Sequence, residues 1–117
     1  MNTVFILNDA PYGSERCYNG LRLATALLKA DGNNSVTVFL LADAAGAAKQ
    51  GQKVPEGYYS VERMLKRIAT GRGQILLCGT CMDARGIADK EIIEGSRRST
   101  MDELATITSQ ADKVLAF

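Results

Sequence analysis

The chain has 117 residues, 46% of them hydrophobic and 23% charged, with fourteen Lys plus Arg against thirteen Asp plus Glu, for a net charge of +1. That length suits one domain spanning 1–117, able to bury about two-thirds of its unfolded surface without metal or disulfide staples. The charge balance argues against a dedicated polyanion binder, though not against a local basic patch. His is absent, which excludes His-based triads, His general bases and His metal ligands.

No run approaches 18–20 apolar residues, so no membrane-spanning helix is expected. The N-terminal stretch Met1–Asp9 lacks a basic region followed by a long apolar run and does not read as a signal peptide. A cytoplasmic location follows as the expectation. In a reducing compartment the three cysteines, Cys17, Cys78 and Cys81, are expected as thiols rather than structural bridges.

Taken in chain order, Val4–Leu7 is a short apolar run that predicts a buried strand, closed by Asn8-Asp9-Ala10-Pro11-Tyr12-Gly13. Ser14 is placed to cap a helix running to about Ala30. Its inward stripe is Cys17, Leu21, Ala24 and Leu28, widened by Leu23 and Leu27. Val36–Leu41 predicts a second strand, apolar on both faces. Asp43 is a candidate cap for a short Ala-rich helix to Lys49, and Gly51–Gly57 reads as an exposed loop. Ser60 caps a third helix with Val61, Met64, Leu65 and Ile68 inward. Ile75–Cys78 is the third strand, and Gly79–Gly86 a turn or short helix. Ile87–Glu94 reads as a further short helix or irregular chain. Thr100 and Glu103 form a capping box for the last helix, with Leu104 and Ile107 inward, and Val114–Phe117 is the final strand. Strands alternating with helices imply a parallel sheet whose strand-to-helix turns gather on one edge, where ligands bind in such folds.

Cys78-Gly79-Thr80-Cys81 is the sharpest chemical signal. A thiol at a strand end beside a helix N-terminus has its thiolate stabilised by N–H groups, here those of Gly79 and Thr80, and needs no His to act as a nucleophile. Arg85 adds positive charge nearby. The competing reading is two small buried side chains. A zinc site is incomplete, because only Cys17 remains as a further ligand, and Cys17 itself reads as core. The first loop is a second candidate: Tyr12, Gly13 and Ser14 precede a helix and could hold an anion on backbone N–H groups, although Gly13 and Ser14 equally serve a tight turn and a cap. Arg63, Lys66 and Arg67, and the pair Arg97-Arg98, read as solvated charge. Asp9, Asp43 and Asp83 are expected near the same edge without the spacing of an acid–base pair.

Several segments together resemble the DsrE/DsrF-like family, and within it the YchN-like branch: Asn8–Glu15 after the first strand, Leu40–Ala44, Gln50–Lys53, Leu77–Ile87 and Ser109–Phe117. The resemblance covers essentially the whole chain. It implies a three-layer α/β/α sandwich with a mainly parallel sheet of about five strands, assembled as a homo-oligomer, trimer or hexamer. Sulfur-relay members of the family carry sulfur as a persulfide on a cysteine that follows a strand and precedes an Arg-Gly pair. Cys78 matches that position relative to Arg85-Gly86, whereas Cys81 is shared with YchN-like proteins and lies outside the basic relay pattern. The resemblance therefore implies a sulfurtransferase-like carrier that takes sulfur from a donor protein and passes it to an acceptor, needing no cofactor and contacting neither membrane nor nucleic acid. The alternatives are a thiol redox protein using the Cys78/Cys81 pair and a non-catalytic oligomeric binding module.

Overall fold

A computed structural model describes all residues, 1–117. Five strands form one sheet in the order β4-β3-β2-β1-β5, with every pairing parallel. β1 (Asn2–Leu7), β2 (Ser35–Leu40) and β3 (Gln74–Cys78) are the apolar runs expected from sequence, each starting one or two residues earlier. The edges are β4 (Ser96–Ser99) and β5 (Lys113–Ala116). β4 corrects the expectation for Arg97-Arg98: the segment pairs with Ile75–Cys78 through its backbone. Its sequence, SRRS, holds no apolar residue because it lies at an edge where only Ser99 turns into the core.

The period of two along each strand divides the interior between two faces. Phe5, Leu7, Val38, Leu40, Ile75 and Leu77 face α1 (Arg16–Ala30) and α2 (Val61–Thr70) in the larger core. Val4, Phe39, Leu76 and Cys78 face α4 (Met101–Gln110) through Leu104 in a cluster of five buried residues. Helices on both faces make the three-layer sandwich.

Local signals explain the helix starts, with three corrections. Ser60 caps α2 as expected, accepting from the Arg63 N–H at 3.3 Å. α1 begins at Arg16, so Ser14 stands outside the N-cap position; its hydroxyl donates to the Asp9 carboxylate and accepts from the Arg16 N–H at 3.3 Å. Ala42–Ala48 is a 3₁₀ segment in which Asp43 lies inside the first turn and makes no cap bond. Thr100 caps α4 by accepting from the Glu103 N–H at 3.1 Å, but Glu103 does not return the bond; its carboxylate goes to Arg97 and Ser99. On α1 the buried stripe is Cys17, Gly20, Leu21 and Ala24, whereas Leu23 is exposed, being turned about 200° from Leu21. Between α3 (Gly79–Ala84) and β4 the chain is irregular apart from a 3₁₀ turn at Asp89–Glu91.

Candidate functional site

Because all strands run the same way, the turns after β1, β2 and β3 share one sheet edge. The turn after β3 is the tightest: Cys78 ends the strand and is itself the N-cap of α3. Its sulfur accepts from the Cys81 N–H at 3.2 Å and lies 3.3 Å from the Thr80 hydroxyl. The donors thus differ from those expected: Thr80 contributes its side chain, and the N–H comes from Cys81 rather than Gly79 or Thr80. Helical geometry brings the two cysteines to a Cα–Cα separation of 5.2 Å, within the range a disulfide requires, and their sulfurs are joined as one, which corrects the expectation of free thiols for this pair and leaves it standing for Cys17. Cys78 is 8% exposed and Cys81 half-buried, so the pair lies at the rim of the core.

Neighbouring elements address the second sulfur. Ala42, at the start of the 3₁₀ segment, has φ 50°, and its N–H reaches the Cys81 sulfur at 3.3 Å. A left-handed conformation costs a non-glycine residue about 1–2 kcal/mol, and here it turns a backbone donor onto the Cys81 sulfur. Arg85 does not contact either sulfur. Its Nε and Nη2 donate to Asp43 at 3.0 and 2.7 Å, and its Nη1 to the Cys81 carbonyl at 3.0 Å. Its role in this geometry is to tie α3 to the 3₁₀ segment.

Arg98 is the residue that sequence reasoning missed. From the β4 edge its Nη1 donates to the Gly79 carbonyl at 3.0 Å, Nη2 to Asp83 at 3.0 Å and Nε to Asp89 at 2.9 Å. It holds the first and last turns of α3 together. Gly79 leaves it room, since a Cβ there would stand 2.8 Å from Arg98 Nη1 and 2.9 Å from its Cγ. A glycine directly after the strand cysteine was the signal available in the sequence. Consecutive strand residues point to opposite faces, so Arg97-Arg98 could not form one charged face: Arg97 pairs with Glu103 while Arg98 crosses to α3.

The first loop does not gather into an anion site. The Tyr12 hydroxyl donates to Gln52 at 2.6 Å and accepts from the Val61 N–H at 3.0 Å, anchoring the 51–60 connection. Gly13 sits at φ 113°, as a tight turn requires. Ser14 is committed to Asp9, whose carboxyl that bond holds below its usual range. The loop thus already holds a negative charge where an anion would sit. Asp9, Asp43 and Asp83 are bonded to Ser14, Arg85 and Arg98 respectively and form no acid–base pair. Cys17 is fully buried, donates to the Asp9 carbonyl at 3.2 Å, and has its thiol pushed up to about 11 by burial and by the Asp9 charge.

A parallel five-stranded sheet between helices, with a paired-cysteine turn at its carboxyl edge, defines a small three-layer α/β protein. The chain belongs to the DsrE/DsrF-like family, whose model matches residues 1–117. It is 44% identical over 114 residues to Protein YchN of Escherichia coli, covering 97% of each chain. It is also 36% identical over 118 residues to an uncharacterised protein of Methanocaldococcus jannaschii, covering 100% of both. Among solved structures, the crystal structure of the ychN protein from E. coli matches with a TM-score of 0.94 at 43% identity, over 99% of this chain and 98% of that one. A protein of unknown function from Methanobacterium thermoautotrophicum matches with a TM-score of 0.82 at 9% identity, over 99% and 98%, a likeness of fold alone.

Proposed function

We propose that this protein is a sulfur carrier that holds sulfane sulfur as a persulfide on Cys78. The observation that carries the reading is the Cys78 sulfur itself: it ends a strand, caps a helix and accepts an N–H, and it is joined to a second cysteine sulfur one helical turn on. Family membership supports sulfur relay as the setting. The N–H and the Thr80 hydroxyl favour the thiolate over the thiol.

Once a dithiol reductant has opened the Cys78–Cys81 disulfide, being oxidised to its own disulfide, the Cys78 thiolate attacks the outer sulfur of a donor persulfide in the loading step. The new S–S bond leaves Cys78 as the persulfide, and the donor departs as a thiolate. An acceptor thiolate then attacks that outer sulfur and returns Cys78 to the thiolate. Alternatively Cys81 attacks the inner sulfur, closing the Cys78–Cys81 disulfide and releasing hydrosulfide; the sulfane sulfur is reduced as the two thiols are oxidised. Both exchanges require partners to reach the rim where Cys81 is half-exposed, so donor and acceptor are proteins that dock at this edge of a homo-oligomer, trimer or hexamer.

A second reading, a dithiol redox protein, is favoured by the joined sulfurs. Intact-mass spectrometry after incubation with a cysteine desulfurase and cysteine separates the two, since a persulfide adds about 32 Da and a disulfide removes about 2 Da. The carrier reading predicts the gain. Only the loss, at every time and dose, would replace it with the redox reading.

A further inference from the structure

α1 and α2 both follow strands of a parallel sheet and lie side by side on one face, running the same way. Between them runs a groove of about 910 Å³, and a carboxylate, Glu56, lines the adjoining cavity that shares Tyr58 and Arg63 with it. Five cations line it: Arg22 and Lys29 from α1, Arg63 and Arg67 from α2, and Arg72 from the turn after α2. No Asp or Glu lines it, and none of the five takes part in an ion pair. In a chain of net charge +1 this is a strong local asymmetry. The expected solvated row of Arg63, Lys66 and Arg67 is divided by the fold: Lys66 pairs with Glu62 at 2.9 Å, while the two arginines turn into the groove.

The groove is also polarised along its length. Its end at the helix N-termini is aromatic, with Tyr18 and Tyr59 stacked at 4.2 Å and Arg22 lying 5.4 Å over the Tyr18 ring. Tyr58 completes that end and is 72% exposed, with no stacking partner. The opposite end carries Lys29 and Arg72. From Tyr18 to Lys29 the groove spans about 17 Å.

We propose that this groove binds a nucleotide, either free or within a single strand, its base stacked on Tyr58 and its phosphates held by Arg63 and Arg67, with Lys29 and Arg72 beyond them. Planar guanidinium forks match phosphate oxygens, and an exposed ring beside a cationic track is the arrangement that holds bases without reading their sequence. An acidic amphipathic helix fits less well. It needs a row of apolar pockets, whereas the floor offers Leu28 and Met64, each only half-buried, with Ile68 covered. A second copy of this face would bring five like charges against five. The site shares no residue with the cysteine turn and stands apart from the sulfur-carrier reading.

Calorimetry on the intact protein with four probes tests it: ATP, a ten-residue oligouridylate, inorganic tripolyphosphate and polyglutamate. Saturable binding of ATP, of the oligonucleotide, or of both supports the site, and the stronger of the two tells a free nucleotide from a strand. Exchanging Arg63→Gln and Arg67→Gln together should weaken the nucleotide probes about tenfold or more. For the oligonucleotide it should also reduce the salt slope by about 1.4, about 0.7 for each lost phosphate contact. Tyr58→Ala should weaken the nucleotides about fivefold or more while leaving tripolyphosphate unchanged. All three positions are solvent-exposed or at the groove wall, and circular dichroism confirms that the variants fold; Cys78→Ser should bind as the wild type does. Tripolyphosphate or polyglutamate binding as tightly as both nucleotides, or no saturable binding of either nucleotide, would overturn the proposal.

Discussion

Two strand-to-helix turns at the same sheet edge hold cysteines in opposite hydrogen-bonding roles. After β1 an eight-residue connection, Asn8–Glu15, precedes α1, and Cys17 in its first turn donates its S–H to the Asp9 carbonyl. After β3 there is no connection at all, and Cys78 accepts the Cys81 N–H. Donation to a carbonyl beside a carboxylate favours the thiol; acceptance of an N–H favours the thiolate. The direction of one hydrogen bond, set by how the strand enters the helix, is the difference on which the proposed reactivity of Cys78 over Cys17 rests.

The largest expected effect of that contrast is on alkylation. With its thiol pushed up to about 11, Cys17 carries about a hundredfold less thiolate at neutral pH than a thiol at the ordinary value of 9.0. It is also fully buried. In the reduced protein, iodoacetamide should therefore modify Cys78 at least about a hundredfold faster than Cys17, read by peptide mapping. Comparable rates would erase the distinction between the two turns.

A stability measurement sharpens the comparison at the β3 turn. Gly79→Ala forces a Cβ against the Arg98 guanidinium and stem. Shifting that clamp should cost about 1–3 kcal/mol in denaturant unfolding, whereas an alanine at Gly13, where φ is 113° and no atom lies within 4 Å, should destabilise through backbone strain alone. No loss on Gly79→Ala would show that Arg98 yields freely.

The smallest effect concerns the turn after β4. Arg97 and then Ser99 hold the Glu103 carboxyl down to about 2. A folded-state value below the unfolded one contributes stability that is present above the unfolded value, near 4.5, and lost as pH falls toward 2. The pair is largely exposed, with side chains 52% and 33% accessible, so after solvent screening the contribution is under about 1 kcal/mol. Glu103→Gln should flatten the stability profile between pH 4.5 and 2 by that amount. An unchanged slope would show that this ion pair contributes nothing to the turn.

Much of this was legible in the residues and some was not, for physical reasons. β1, β2 and β3 are continuous apolar runs because both faces are covered, and such runs announce themselves. β4 does not, because an edge strand with one inward side chain needs no apolar pattern. Cys78-Gly79-Thr80-Cys81 was visible as a motif, but its supports come from afar: Ala42 lies 39 residues from Cys81, and Arg98 lies 19 from Gly79. Local capping rules placed Ser60 and Thr100 correctly and misplaced Ser14, which found the Asp9 carboxylate five residues back instead of a helix N-cap position. The α1–α2 groove was invisible because its charges come from two helices that only the parallel topology brings together.

The central claim, that Cys78 rather than Cys81 bears the transferred sulfur, is tested most directly by desulfurase-dependent transfer of radioactive sulfur to the wild type, Cys78→Ser and Cys81→Ser. Serine keeps the size of the side chain but is a far poorer nucleophile at neutral pH. Reductant-labile label is predicted on the wild type and on Cys81→Ser, where it should persist longer because no neighbouring thiol attacks the persulfide, and none on Cys78→Ser. Label on Cys78→Ser equal to the wild type, or no label on any form alongside a reversible Cys78–Cys81 disulfide, would contradict it.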